Sequence, residues 1–241
     1  MGQQESVIVH LIGIMDTIEA DLMLALRAHE REDRGGFLSI SRHVFCYIDY
    51  LGALSGNGKN STDNAVNYME TYFARVNGEY RGKSRLMYEM WRHGTVHEYD
   101  PKVFESRDRS FELRWGANNT SVEHNRRWHL KCLCRASNPG SYHWFMNLFQ
   151  LVDDLRASIR EFAADLEGDA QLLAKAQRNL KKLSNVVDLD KKDTRLLEDA
   201  AKVVDSAAGV IDDRGNVIRE FADAAEFVEF RDNEWQGQPP T

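Results

Sequence analysis

The stretch Trp91-Arg92-His93-Gly94-Thr95-Val96-His97-Glu98-Tyr99-Asp100 sets an arginine, two histidines and two acids around one glycine. Three chemistries fit these residue types. In the first, Arg92 and His97 cleave a phosphodiester. A guanidinium holds phosphate through a planar fork of donors, and an imidazole that titrates near neutrality can take a proton from a ribose hydroxyl. In the second, His93 and His97 stand four apart, one turn along a helix face, as a metal pair. No glutamate directly follows the first histidine, as a zinc-protease motif requires. In the third, the residues are a solvated helix end where Glu98 and Asp100 pair with nearby cations.

The elements that must position these groups are mostly helical. Val7, Leu11, Ile14, Met15, Ile18, Leu22 and Leu26 recur every three or four residues, the mark of one buried helical stripe. Leu38, Val44, Phe45, Ile48, Leu51 and Leu54 predict a second helix, with Ser39 and Ser41 as candidate caps. Ser-Gly-Asn-Gly-Lys-Asn-Ser-Thr (55–62) lacks Walker spacing and reads as a loop leading to a cap. Val66, Met69, Tyr72, Phe73 and Val76 mark a third helix. A fourth carries Leu86, Met87, Met90 and Trp91 into the Arg/His stretch.

After Pro101 the pattern changes. Phe111–Trp115 and Trp128–Cys134 alternate with strand period, predicting an inserted β-hairpin. Within it Cys132 and Cys134 fall on the face of Trp128 and Leu130, which points to core packing, and His129 falls on the other. Beyond it, Leu148, Val152, Leu155, Ile159, Phe162 and Leu166 begin a 3–4 seam that runs past Asp169 to Val187, and a similar run covers 197–228. With a polar turn between them, the two runs predict an antiparallel long-helix hairpin. The expected fold is therefore mainly α: a helical bundle over 1–105, a β-hairpin over 106–137, a coiled-coil-like hairpin over 138–232 and a flexible tail over 233–241.

Composition limits the function classes. The 241 residues are 42% apolar and 29% charged, ordinary for a globular chain. Three cysteines make no disulfide framework and favour a reducing cytoplasm. No run is long and apolar enough for a membrane span, and no basic segment precedes an apolar one at the N-terminus. Met1–Ser6 fits the loose N-myristoylation pattern. The formal charge is −7, yet residues 75–135 hold 13 Lys/Arg against 8 Asp/Glu, a net of +5. Arg81, Lys83 and Arg85, just ahead of the Arg/His stretch, are candidate phosphate contacts. Tyr80, Tyr88, Trp91 and Tyr99 interleave with them and could stack unpaired bases.

An arginine, a neighbouring polar residue, a glycine and a histidine with four residues between it and the arginine, all at the end of a fourth amphipathic helix, resemble the HEPN family. Here the string is Arg92-His93-Gly94-Thr95-Val96-His97, and the resemblance covers roughly residues 1–105. It implies a helical bundle that dimerises across the motif. It also implies a metal-independent, cofactor-free endoribonuclease of the toxin–antitoxin, phage-defence or RNA-processing kind, and so RNA and a protein inhibitor or antitoxin as partners. By resemblance Arg92 and His97 are the catalytic pair and His93 helps orient them; the local charge and aromatics, apart from the resemblance, make Arg81, Lys83, Arg85 and Tyr99 the candidate substrate contacts. A geometric difficulty accompanies it: residues five apart on an α-helix lie about 140° apart around the axis. The alternative class is a non-catalytic helical module for dimerisation and protein interaction.

Overall fold

In the computed structural model the described residues are 4–32, 37–98, 100–118, 121–135, 138–183, 209–211 and 217–233. The acylation pattern at Gly2, Tyr99, the side chain of His97, the polar turn at 188–193 and the tail 234–241 lie outside what is described. The chain divides into two compact units, Met1–Ser184 and Asn185–Thr241.

The first unit opens with a helical run in three parts: α1 (Gln4–Thr17), a π-helical segment π1 (Ile18–Met23) and α2 (Leu24–Glu32). Its stripe Val7, Leu11, Ile14, Ile18, Leu22 and Leu26 is buried, as the spacing predicts. Next comes α3 (Phe37–Ser55), which starts ahead of Ser39 and Ser41, so neither serine caps it and the Ser41 hydroxyl donates to the Leu38 carbonyl instead. Ser61 does cap α4 (Thr62–Tyr68), accepting from the Asn64 N–H at 3.2 Å. The helix continues as π2 (Met69–Phe73) and α5 (Ala74–Val76). A 3₁₀ turn (Gly78–Tyr80) then leads to α6 (Ser84–Met87) and π3 (Tyr88–Glu98).

The predicted β-hairpin is replaced by a four-stranded mixed sheet, so the fold is mixed α/β and not mainly α. The strands are β1 (Phe104–Glu105), β2 (Glu112–Asn118), β3 (Cys132–Arg135) and β4 (Asn138–Asn147), in spatial order β1-β2-β4-β3. A short helix α7 (Glu123–Arg126) lies between β2 and β3. The two strands expected to pair with each other, β2 and β3, instead flank β4. β2 runs parallel to it, with Trp115 opposite Trp144, and β3 runs antiparallel, with Cys132 opposite Trp144. The inner face, carrying Leu113, Trp115, Trp144 and Met146, packs on the helices. Strand alternation does not extend back from Cys132 to Trp128, because Leu130 adopts a left-handed φ of 59°. His129 is consequently buried, contrary to expectation. Cys132 and Cys134 are exposed rather than packed in the core, because β3 is the edge strand.

The expected C-terminal helix hairpin is also overturned among the described residues, while Val187, Leu197, Val204 and Ala207 of its seam lie outside them. The seam residues of α8 (Leu148–Gly168) are buried, but against the N-terminal bundle. Tyr68 of α4 meets Ser158 at 3.2 Å, Arg75 pairs with Asp165, and the Tyr72 and Phe162 rings meet at a tilt with centroids 5.1 Å apart. The helix stops at Gly168, and Asp169 caps α9 (Ala170–Lys182) by accepting from the Gln171 and Leu172 N–H groups. The Asn179 amide then donates to the Leu54 and Gly56 carbonyls at the end of α3. The apolar 3–4 repeat thus satisfies a globular core, which it does as readily as a partner coil.

In the second unit, two stretches expected to be helical form the antiparallel strands β5 (Gly209–Ile211) and β6 (Val217–Glu220), followed by α10 (Ala224–Asn233). Phe221 packs on Phe227 and Phe230, with the Arg219 guanidinium over Phe221 and Phe230.

Candidate active site

Arg92 lies on π3, an i→i+5 helix, and π segments of this kind concentrate at functional sites. Local contacts explain the wider ladder. The Thr95 hydroxyl donates to the Trp91 carbonyl at 2.6 Å, and the Met90 carbonyl accepts the Lys102 N–H at 2.9 Å as the chain folds back over the helix. Gly94 admits that fold-back: a Cβ there would lie 2.4 Å from the Asp100 carbonyl oxygen and 2.6 Å from the Lys102 nitrogen. The same ladder bears on the 140° difficulty. In an i→i+5 helix, residues five apart are the bonded neighbours of successive turns, so the backbone positions 92 and 97 sit one above the other. The His97 side chain lies outside the described residues.

Helix α3 builds the facing wall with Arg42, Cys46 and Asp49, which share one helix face. Asp49 accepts from the Tyr88 hydroxyl at 2.6 Å and from Arg92 Nε at 2.9 Å. The two ion-pair side chains are 21% (Arg92) and 10% (Asp49) exposed, so Asp49 sits deeper and fixes the direction of the guanidinium. Burial alone would lower the Arg92 pKa, but the hydrogen bond and charge of Asp49 outweigh it and hold the group above its ordinary value. Burial, then Asp49, raises the Tyr88 phenol. Burial also raises the Cys46 thiol, with Asp49 adding to the effect and Arg92 and Arg42 opposing it. Arg42 Nε donates to the Thr95 carbonyl at 3.1 Å, beneath the glycine turn. The His93 ring meets Tyr88 edge-on at 5.4 Å. The cluster therefore sets two guanidiniums beside π3, one held by the Asp49 carboxylate and one by the Thr95 carbonyl.

The other expected residues lie elsewhere. Lys83 pairs with Glu79 at 2.8 Å, and Arg85 pairs with Asp63. Arg81 follows the 3₁₀ turn, more than two helical turns before Arg92. Tyr80, Tyr88 and Trp91 are buried and unable to stack on bases; Trp91 packs on Trp115 at 5.5 Å.

No family model matches the chain, and neither a curated protein nor a solved structure does. The HEPN resemblance therefore stands on the residues of the motif.

Sequence reasoning missed Arg42 and Asp49, although a carboxylate amid Phe45, Ile48 and Leu51 is itself a signal: buried acids need partners. It also missed a second polar centre. The Asn147 N–H donates to His129 Nδ1 at 3.1 Å, which places the proton on Nε2, facing the Tyr80 oxygen at 2.9 Å. The Tyr80 hydroxyl donates to Asp154 Oδ2 at 2.9 Å, and the Gln150 amide donates to Oδ1 at 2.7 Å. Tyr80, His129 and Asp154 are all buried, so this network joins the sheet to α8. Among the described residues no group of three or more His, Cys, Asp or Glu is placed to hold a metal ion. No helix among them is long and apolar enough to cross a membrane.

Proposed function

We propose that the chain is a metal-independent endoribonuclease of HEPN type, with Arg92 and His97 as its working pair. The observation that carries this reading is the π-helical register of Tyr88–Glu98, which stacks positions 92 and 97 on successive turns. The second arginine, Arg42, hydrogen-bonded to the intervening Thr95, adds to the positive field that a phosphodiester requires. In this mechanism His97 takes the proton of the ribose 2′-hydroxyl, and that oxygen attacks the adjacent phosphorus. The bond to the 5′-oxygen breaks and that oxygen takes a proton from solvent, leaving a 2′,3′-cyclic phosphate and a 5′-hydroxyl, while His97 later returns its own proton to solvent. Arg92, aimed by Asp49, offsets the charge that builds on the phosphoryl oxygens, and His93 packs on Tyr88 behind it.

The test is cleavage of a labelled single-stranded RNA in EDTA by the full chain and by R92A and H97A. Loss of a positioned acid or base costs a factor of about 10²–10⁴. Activity that vanishes with EDTA, or variants that cut at the wild-type rate, would refute the reading.

The active species on this reading is a homodimer that a protein inhibitor or antitoxin could hold in check. The exposed apolar side chains Val9, Ile12 and Leu24 along the first helical run favour association. Sedimentation showing only a 27.7 kDa species at micromolar concentration would exclude the dimer.

A further inference from the structure

The sheet has a second face that the proposed chemistry does not use. Leu113, Trp115 and Ala117 of β2 and Trp144 and Met146 of β4 point into the core. Alternation then puts Arg114, Gly116, Leu133, His143 and Phe145 on the opposite side. Register gathers them: Gly116 stands opposite Phe145, Arg114 opposite His143, and Leu133 opposite His143 on the other flank. None of these belongs to the core cluster, and Leu133, His143 and Phe145 are each half-buried.

Gly116 determines how Phe145 lies. A Cβ at 116 would come within 2.8 Å of the Phe145 ring, so the ring rests over the glycine, close against the sheet. A glycine inside a strand weakens it and often marks a close approach. The His143 ring lies 6.3 Å from Phe145 with only 35° between their planes, which extends the flat surface. The segment that contributes β1, β2 and β3 is basic. Residues 102–135 carry eight Lys/Arg against four Asp/Glu in a chain whose total is −7. They include Arg109, 83% exposed at the β1–β2 turn and 3.6 Å from Glu105, Arg114, paired on this face with Glu112, and Arg127, over Trp128 at 4.7 Å.

We propose that this outer face is a stacking platform for unpaired RNA bases, with Phe145 at its centre, His143 and Leu133 at its sides, and Arg114 and Arg109 exchanging their acidic partners for the phosphates. Aromatic rings on an open sheet take bases of any sequence, and the basic rim supplies affinity that salt weakens. The choice of RNA as occupant rests on the ribonuclease reading. The helix that carries Arg92 packs on the inner face through Trp91 and Trp115, so the platform lies on the other side of the sheet and is tested by itself.

The probe is a fluorescein-labelled 2′-O-methyl oligouridine of about 12 nucleotides, within the usual site size for single-strand binders. It has no free 2′-hydroxyl, so its binding to the full chain, read by anisotropy, is independent of cleavage. Phe145→Ala should weaken binding by about 5- to 150-fold, the range for loss of one base–aromatic stack. Phe145→Trp should retain it, with thermal melting confirming that both variants fold. No binding by wild type, or Phe145→Ala binding within about twofold of wild type, overturns the platform, and the first result would leave this face to a protein partner. Failure of the two proposals is distinguishable. Phe145-dependent binding without RNA cleavage keeps the platform and removes the nuclease; cleavage without Phe145-dependent binding does the reverse.

Discussion

Replacing Gly94 by alanine should destabilise the protein, although alanine is the better helix former. By intrinsic propensity the change gains about 1 kcal/mol. The new methyl, however, would meet the Asp100 oxygen at 2.4 Å, the Lys102 nitrogen at 2.6 Å and the Pro101 Cα at 2.7 Å. All three are backbone atoms that cannot rotate aside as a side chain would. Displacing them strains the turn, at about 1–3 kcal/mol for overpacking. It also breaks the bond from the Lys102 N–H to the Met90 carbonyl, worth about 0.5–1.5 kcal/mol. The net loss is about 1–3 kcal/mol, to be read from urea denaturation followed by circular dichroism. Gly13 is the internal control: it lies in α1, and a methyl added there would meet nothing within 4 Å, so Gly13→Ala should stabilise by about 0.5–1 kcal/mol. If Gly94→Ala proved as stable as wild type, the fold-back over π3 would not be the constraint that selects glycine there.

Two further predictions concern polar groups away from the candidate site. Tyr80→Phe keeps the ring but strips Asp154 Oδ2 and His129 of a shared partner inside the core, which should cost about 1–3 kcal/mol in the same denaturation assay; no measurable change would refute the network's role. Glu79 is bonded by Lys131 and Lys83, which hold its pKa down to about 2, below the ordinary 4.5. Its contribution is therefore present above about pH 4.5 and lost as pH falls toward 2. Because the side chain is 37% exposed, the effect should be small and shrink with salt. Stability curves of wild type and Glu79→Gln should thus converge toward pH 2, and a gap independent of pH would contradict the ion pairs.

Helices with one apolar stripe were legible because their burial is local in origin. The run Val7–Leu26 and the stripe of α3 are buried where their spacing puts them, and the Ser61 cap is visible in the sequence because its hydrogen bond closes over three residues. The sheet was not legible, because its pairings are distant. The segment Asn138–Asn147 joins β2 in parallel, and a parallel pair leaves no hairpin signal between its strands. Leu130 in a left-handed conformation broke the alternation that had assigned the inward and outward faces of Trp128–Cys134. The seam of α8 was ambiguous in principle, since a 3–4 apolar repeat suits a bundle core and a coiled coil equally. At the candidate site, Arg92 and His93 were recognisable by type and spacing. Asp49 and Arg42 were not, because they lie 43 residues before Arg92 and 53 before Thr95 and meet them only through packing of α3 on π3.

The central claim is that Arg92 and His97 act on RNA through its own 2′-hydroxyl. The most direct measurement is mass spectrometry of the products from one synthetic single-stranded RNA and its 2′-deoxy counterpart, each incubated with the full chain in EDTA. The account predicts that the RNA alone is cut, that the fragments end in 2′,3′-cyclic phosphate, and that H97A and R92A each slow the reaction by about 10²–10⁴. Intact RNA, equal cleavage of the deoxy strand, or unaltered rates in both variants would contradict it.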